Sequence, residues 1–201
     1  MDPTSLFSIP YGLYVLTAND GKKDCGCIIN TTMQLCQSPA IISVCVNKQN
    51  YTNEVIKEQG IFNVSVLTED TAFQTFEHFG FQSGREMDKF AGRDDPRSEN
   101  GLRYLDQSTN ALFSAKVIDA YDYGTHTLFI AQLTQATKLS STPSLTYSYY
   151  FAHIKPKPQP QPKRGYVCKI CGYFHEGDEL PADFICPICK HGAEDFEPVG
   201  F

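Results

Sequence analysis

Four of the eight cysteines stand in a pattern that could bind a metal. Cys168-Lys169-Ile170-Cys171-Gly172 and Cys186-Pro187-Ile188-Cys189 are two Cys-x-x-Cys hooks with 14 residues between them. Four thiolates at that spacing can close a tetrahedron around one ion. Zinc would make a structural clasp, whereas iron would make a one-electron redox centre. The neighbouring residues favour iron. Gly172 follows the second cysteine, where the chain must turn back and aim backbone N–H groups at sulfur. Glycine takes such a positive-φ turn without steric penalty. Tyr166, Tyr173, Phe184 and Phe196 flank the hooks, enough aromatic surface for a very small core.

The run Gly165-Tyr-Val-Cys-x-x-Cys-Gly-Tyr, then Asp183-Phe-x-Cys-Pro-x-Cys, then Phe196, resembles rubredoxin over residues 165–201. The spacing between hooks is nearer that of trimmed rubredoxins fused to other redox modules. Phe184 stands where most rubredoxins have tryptophan, and Lys190 where the family usually has glycine. A positive-φ lysine costs roughly 1 kcal/mol, so the second turn is expected to differ from the first. The alternative is a zinc ribbon.

At 201 residues the chain can hold one medium domain and one small one. No run approaches the ~20 apolar residues of a membrane span. Met1-Asp-Pro-Thr-Ser has neither a basic region nor an apolar core, so no secretory signal is expected there. Cys25, Cys27, Cys36 and Cys45 lie in strand-like segments, where cysteine acts as a small core residue. A reduced tetrathiolate motif beside free thiols points to the cytoplasm. Residues 165–201 carry seven acidic residues against Lys169 and Lys190, a net −5 of the chain's −6. With no basic stripe, nucleic-acid binding is excluded. An acidic face could instead steer a basic protein partner.

Lys155-Pro-Lys-Pro-Gln-Pro-Gln-Pro-Lys163 alternates proline with polar residues. It should act as a semi-rigid spacer of roughly 25–28 Å. The expected division is a first domain over 1–154, a linker over 155–164 and a small domain over 165–201. The first part is mainly β, with runs at Tyr11–Ala18, Ala40–Val46, Ile61–Leu67, Ala111–Ala120 and Thr127–Leu133. Two short helices are expected. One is capped by Thr52 and stopped by Gly60; the other spans about Ala72–Phe79, with Thr71 or Asp70 as cap. Short strands with few helices fit an antiparallel barrel.

A one-electron centre needs a donor, and no second metal motif precedes the linker. Four polar clusters follow buried-looking strands instead. They are Asn30-Thr31-Thr32, Asn47-Lys48-Gln49-Asn50-Tyr51-Thr52, Ser83-Gly-Arg85-Glu-Met-Asp-Lys89, and Gly124-Thr-His126. The second opens a helix, whose free N–H groups and positive dipole end suit a phosphate. Their order is similar to that of the flavin reductase-like, FMN-binding split-barrel family, over about residues 5–153. The whole chain is similar to the family of high-molecular-weight rubredoxins, in which such a domain is fused to rubredoxin.

The resemblance implies a split β-barrel with non-covalent FMN, a small domain with one iron on Cys168, Cys171, Cys186 and Cys189, and a homodimer. It implies flavin contacts from Asn30, Thr31, Asn47, Lys48, Asn50, Thr52, Ser83, Arg85 and Lys89. His126 matches a position near flavin or nicotinamide, although Gly-Thr-His replaces the usual Gly-Asp-His. NADH or NADPH would then give a hydride, and a flavin can take that pair and release single electrons to iron. The acceptor in the fused family is typically a flavodiiron oxygen or nitric oxide reductase. Two other readings remain: a flavin relay that does not oxidise NAD(P)H, and a zinc-clasped flavin-binding sensor.

Overall fold

The computed structural model describes residues 2–157 and 164–201. Of the proline-rich spacer, 158–163 lie outside the described residues. Seven strands form the main sheet: β1 (Tyr14–Asn19), β2 (Asp24–Ile29), β3 (Thr32–Gln37), β4 (Ala40–Asn47), β5 (Ile61–Leu67), β6 (Thr109–Tyr123) and β7 (His126–Lys138). Every pairing is antiparallel, in the order β2-β1-β5-β6-β7-β4-β3.

That order forces the sheet to roll up. β2 and β3 are its two edges, yet only Asn30 and Thr31 separate them in sequence. A flat sheet would put those edges about 29 Å apart, at ~4.8 Å per strand pair. Two linking residues reach nowhere near that distance, at about 3.6 Å each. The sheet therefore curls into a barrel with a seam at Asn30–Thr31, where Thr31 Oγ1 donates to the Cys45 carbonyl (2.8 Å). Inward positions of the strands fill it: Leu16, Cys27, Val44, Val46, Phe62, Val64 and Phe129 are buried in one core.

Helix α1 (Tyr51–Gln59) packs on the barrel through Val55 and Ile56. It starts earlier than expected, with Asn50 rather than Thr52 as the N-cap residue. Helix α2 (Phe73–Gly80) has Ala72 at its start with no side-chain cap, not Thr71 or Asp70, and runs through Gly80. Phe76 and Phe79 of α2 join Phe90, Leu105, Leu145 and Tyr150 in a second core. A long excursion, 81–108, links α2 to β6. It is tied to the barrel by the buried Asp24 carboxylate, which holds Arg97 (2.8 Å) and Arg103 (3.3 Å). Thr17 Oγ1 also donates to the Arg103 carbonyl (2.6 Å).

After β7 the chain makes a short helix, α3 (Tyr147–Tyr149), continued by a π-turn Tyr150–Ile154. The C-terminal part is a separate three-stranded sheet of β8 (Gly165–Cys168), β9 (Phe174–Glu176) and β10 (Phe196–Val199), ordered β10-β8-β9. Cys168, Cys186 and Phe196 cluster in its core, and Val167 of β8 is buried beside them in the chain. No helix among the described residues is long and apolar enough to cross a membrane.

Candidate functional site

The two hooks fold as near copies of each other. The Cys168 N–H donates to the Tyr173 carbonyl and the Cys186 N–H to the His191 carbonyl, both at 2.8 Å. Gly172 N–H returns to the Cys168 carbonyl, and Lys190 N–H to that of Cys186. Gly172 has φ 81° and Lys190 φ 62°. The second turn is therefore not altered by its lysine; the lysine accepts the left-handed backbone that the hook demands. Lys190→Gly should stabilise the small domain by about 1 kcal/mol, read as a higher guanidinium midpoint of the metal–thiolate absorbance. No gain would show that the side chain offsets its own strain.

The four Sγ atoms lie within 4.8 Å of one another. Cys168 and Cys189 sulfurs are 3.5 Å apart, as are those of Cys171 and Cys186. Cys168 accepts from the Cys171 and Cys189 thiols and from the Ile170 and Cys171 amides, which hold it far below the usual thiol range. Cys171, donating to Cys168, is pushed up to about 12, and Cys189 is pushed up for the same reason. Four sulfurs this close ionise together only around a cation, so the donor set fits a tetrahedral metal.

The second feature is a cleft of about 750 Å³ at the barrel seam. Asn30, Asn47, Asn50, Ser83, Arg85, Lys89 and His126 line it, seven of the ten residues expected around a flavin. Strand register explains one meeting: His126 opens β7 opposite Asn47 at the end of β4. Burial lowers the His126 pKa, helped by the nearby His191. The uncapped amino end of α1 reaches the cleft through Gln49, Asn50 and Tyr51.

Lys89 is the least expected of these. It is only 2% exposed. Its Nζ donates to the Gly26 carbonyl (2.8 Å) and the Phe79 carbonyl (2.9 Å), and His78 Nε2 donates to the Lys89 carbonyl (2.6 Å). It thus clamps β2 to α2 beneath the cleft. Gly26 permits this close stacking, because a Cβ there would stand 3.3 Å from the Phe79 ring and 3.1 Å from the Leu16 carbonyl. Arg85 is held at the rim by a bidentate pair with Glu54.

Three expected residues lie elsewhere. Thr52 is buried, and its hydroxyl bonds the Cys25 and Cys27 thiols; burial pushes Cys25 up to about 12. Thr31 serves the seam, and Lys48 faces Asp122 at 3.8 Å. The sequence reading missed Gly26, Cys27, Tyr147 and Tyr150, which also line the cleft. The only available signal was a glycine between two core cysteines. It also missed a second wall: Ile170 and Pro187 through His191 of the hooks face the same cleft.

Two family models match the chain. Residues 6–156 match the family described as flavin reductase like domain, and 166–197 match the rubrerythrin, rubredoxin-like domain. A high molecular weight rubredoxin of Moorella thermoacetica is 37% identical over 99% of this chain and 100% of its own length. The chain belongs to the high-molecular-weight rubredoxin family. The barrel and the hooks are thus the flavin reductase-like and rubredoxin-like domains of one chain. The barrel is also similar to a ferric-chelate reductase (NAD(P)H) of Archaeoglobus fulgidus, 39% identical over 75% of this chain and 89% of that protein. Among solved structures, a Streptomyces globisporus NADH:FAD oxidoreductase shares the fold at TM-score 0.63 and 24% identity, over 72% of this chain and 86% of its own.

The cleft fits a flavin by its donors. It offers backbone and amide groups from Gly26–Asn30, Asn47 and Asn50, a glycine-lined floor at Gly26 and Gly84, and cations from Lys89 and Arg85. The hooks are a rubredoxin-type metal site built from four cysteines.

Proposed function

We propose that this protein oxidises NAD(P)H at FMN in the barrel and passes electrons to iron in the hooks, then to a protein acceptor. The observation that carries the reading is the shared cleft: one cavity is lined both by the barrel residues and by Cys189 of the metal site. Bound FMN would supply the conversion of a hydride into single electrons. Asn30, Asn47 and Asn50 would orient it, and Lys89 and Arg85 would balance its charge. His126, held mostly neutral at pH 7 by burial, would offer a hydrogen bond rather than a second charge. Residues 1–154 would serve as the flavin unit and 165–201 as the carrier, joined by 155–164.

Family resemblance supports a flavodiiron protein as acceptor, the cytoplasm as location and a homodimer as the working form. Exposed apolar side chains on edge strand β3 (Met33, Leu35) and on the β6–β7 hairpin (Tyr121, Tyr123) are the surface we assign to that dimer. Electron balance sets the test. Each NAD(P)H releases two electrons and one proton, and each ferric centre takes one electron. Anaerobic titration of the holoprotein should bleach the ferric–thiolate colour in step with flavin reduction. Reduction of the flavin with the iron left ferric would end the proposed order of transfer. Failure of both NADH and NADPH to reduce the flavin would leave the relay reading.

A further inference from the structure

The cleft has two walls that come from different parts of the chain. The inner wall is the barrel seam with Lys89 beneath it. The outer wall is the second hook, Pro187 through His191, together with Ile170 of the first. A planar group seated against the barrel wall could thus be covered from the hook side. The Pro187 and Ile188 side chains are hydrocarbon, so this wall can cover a ring without competing for its polar edges. Tyr147 and Tyr150 also line the cleft. Burial raises both phenol pKa values, and the charges of Asp195 near Tyr147 and Cys171 near Tyr150 add to the rise. Both tyrosines are thus within electrostatic reach of the small domain.

Hydride transfer requires ring-to-ring contact at about 3–3.5 Å. A ring already covered by Pro187 and Ile188 has no face left for a nicotinamide. Lys155 Nζ donates to the Lys169 carbonyl of the first hook, a tie that does not involve the second hook. Ile188 keeps 39% of its surface exposed, and the strong ion pairs of the barrel close within the barrel, as at Arg97–Asp24, Lys57–Asp122 and Arg85–Glu54.

We infer that the second hook is a displaceable lid, and that the nicotinamide and the metal hook occupy the outer half of the cleft in turn. This rests on the proposed donor. One hydride brings two electrons, and the metal carries one at a time. The lid must therefore close twice for each donor oxidised, with the acceptor taking an electron after each closure.

Hydroxyl-radical footprinting of the oxidised holoprotein tests this without turnover. Saturation with NAD⁺, or with NADP⁺ in a parallel arm, should raise modification of Ile188 about twofold as the lid population shifts open. Ile185, 56% exposed and not part of the cleft, should stay unchanged. Ile188→Gln should tighten nucleotide binding several-fold, with the ferric spectrum retained as proof of a folded hook. If calorimetry shows nucleotide bound while Ile188 is unchanged or protected, both groups fit together and the inference falls, though the donor assignment stands. If neither nucleotide binds, the donor assignment falls and the inference with it.

Discussion

Cys186→Ser is expected to erase the metal–thiolate absorbance and to unfold the C-terminal sheet, while the barrel stays folded. Cys186 is fully buried and sits with Cys168 and Phe196 at the centre of that small core. Structural metal binding by such ligand sets is worth on the order of 10 kcal/mol. No other buried contact in so small a unit could replace it. Absorbance and metal content report the site, and amide exchange across β8 and β10 reports the fold. Retention of a folded sheet without metal would show that the aromatic contacts, such as Phe184 on Phe196 at 5.3 Å between ring centroids, suffice by themselves.

Lys89→Met should lower barrel stability and weaken the proposed flavin together. Its ammonium satisfies the Gly26 and Phe79 carbonyls, which would be left buried without that donor. Each orphaned carbonyl costs about 1–3 kcal/mol. Methionine approximates the length of the lysine stem, so packing changes little and the lost hydrogen bonds dominate. A fall in thermal midpoint and in flavin stoichiometry is expected. Unchanged values for both would show that the carbonyls find water and that Lys89 is no clamp.

The hooks were legible because metal coordination fixes both residue type and spacing within a few residues. The cleft was partly legible. Asn30, Asn47 and His126 end or begin strands, and strand ends collect at a barrel mouth. Thr52 stands off the cleft for a reason of phase: α1 starts at Tyr51, so its second residue turns inward toward Cys25 and Cys27. Lys48 is drawn toward Asp122, a counter-charge that arrives from a hairpin 74 residues later and leaves no local signal in the sequence. The turn at Lys190 was misjudged because the local penalty of a left-handed lysine was set against nothing. Backbone hydrogen bonds from Cys186 and Lys190 and the sulfur cluster hold that turn in place. Together they outweigh about 1 kcal/mol. The outer wall was invisible, since it depends on how two separately folded sheets meet.

The sparse core of the C-terminal sheet also bears on metal supply. Cys168 and Cys186, its two most buried side chains, belong to the metal site, so loading the ion and folding the sheet are expected to be one event. A chain made when that metal is scarce is expected to carry a finished barrel and an unstructured acidic tail with four open thiols. Such a tail is a ready substrate for proteases and for oxidation. The abundance of the intact protein is then expected to follow the availability of the metal.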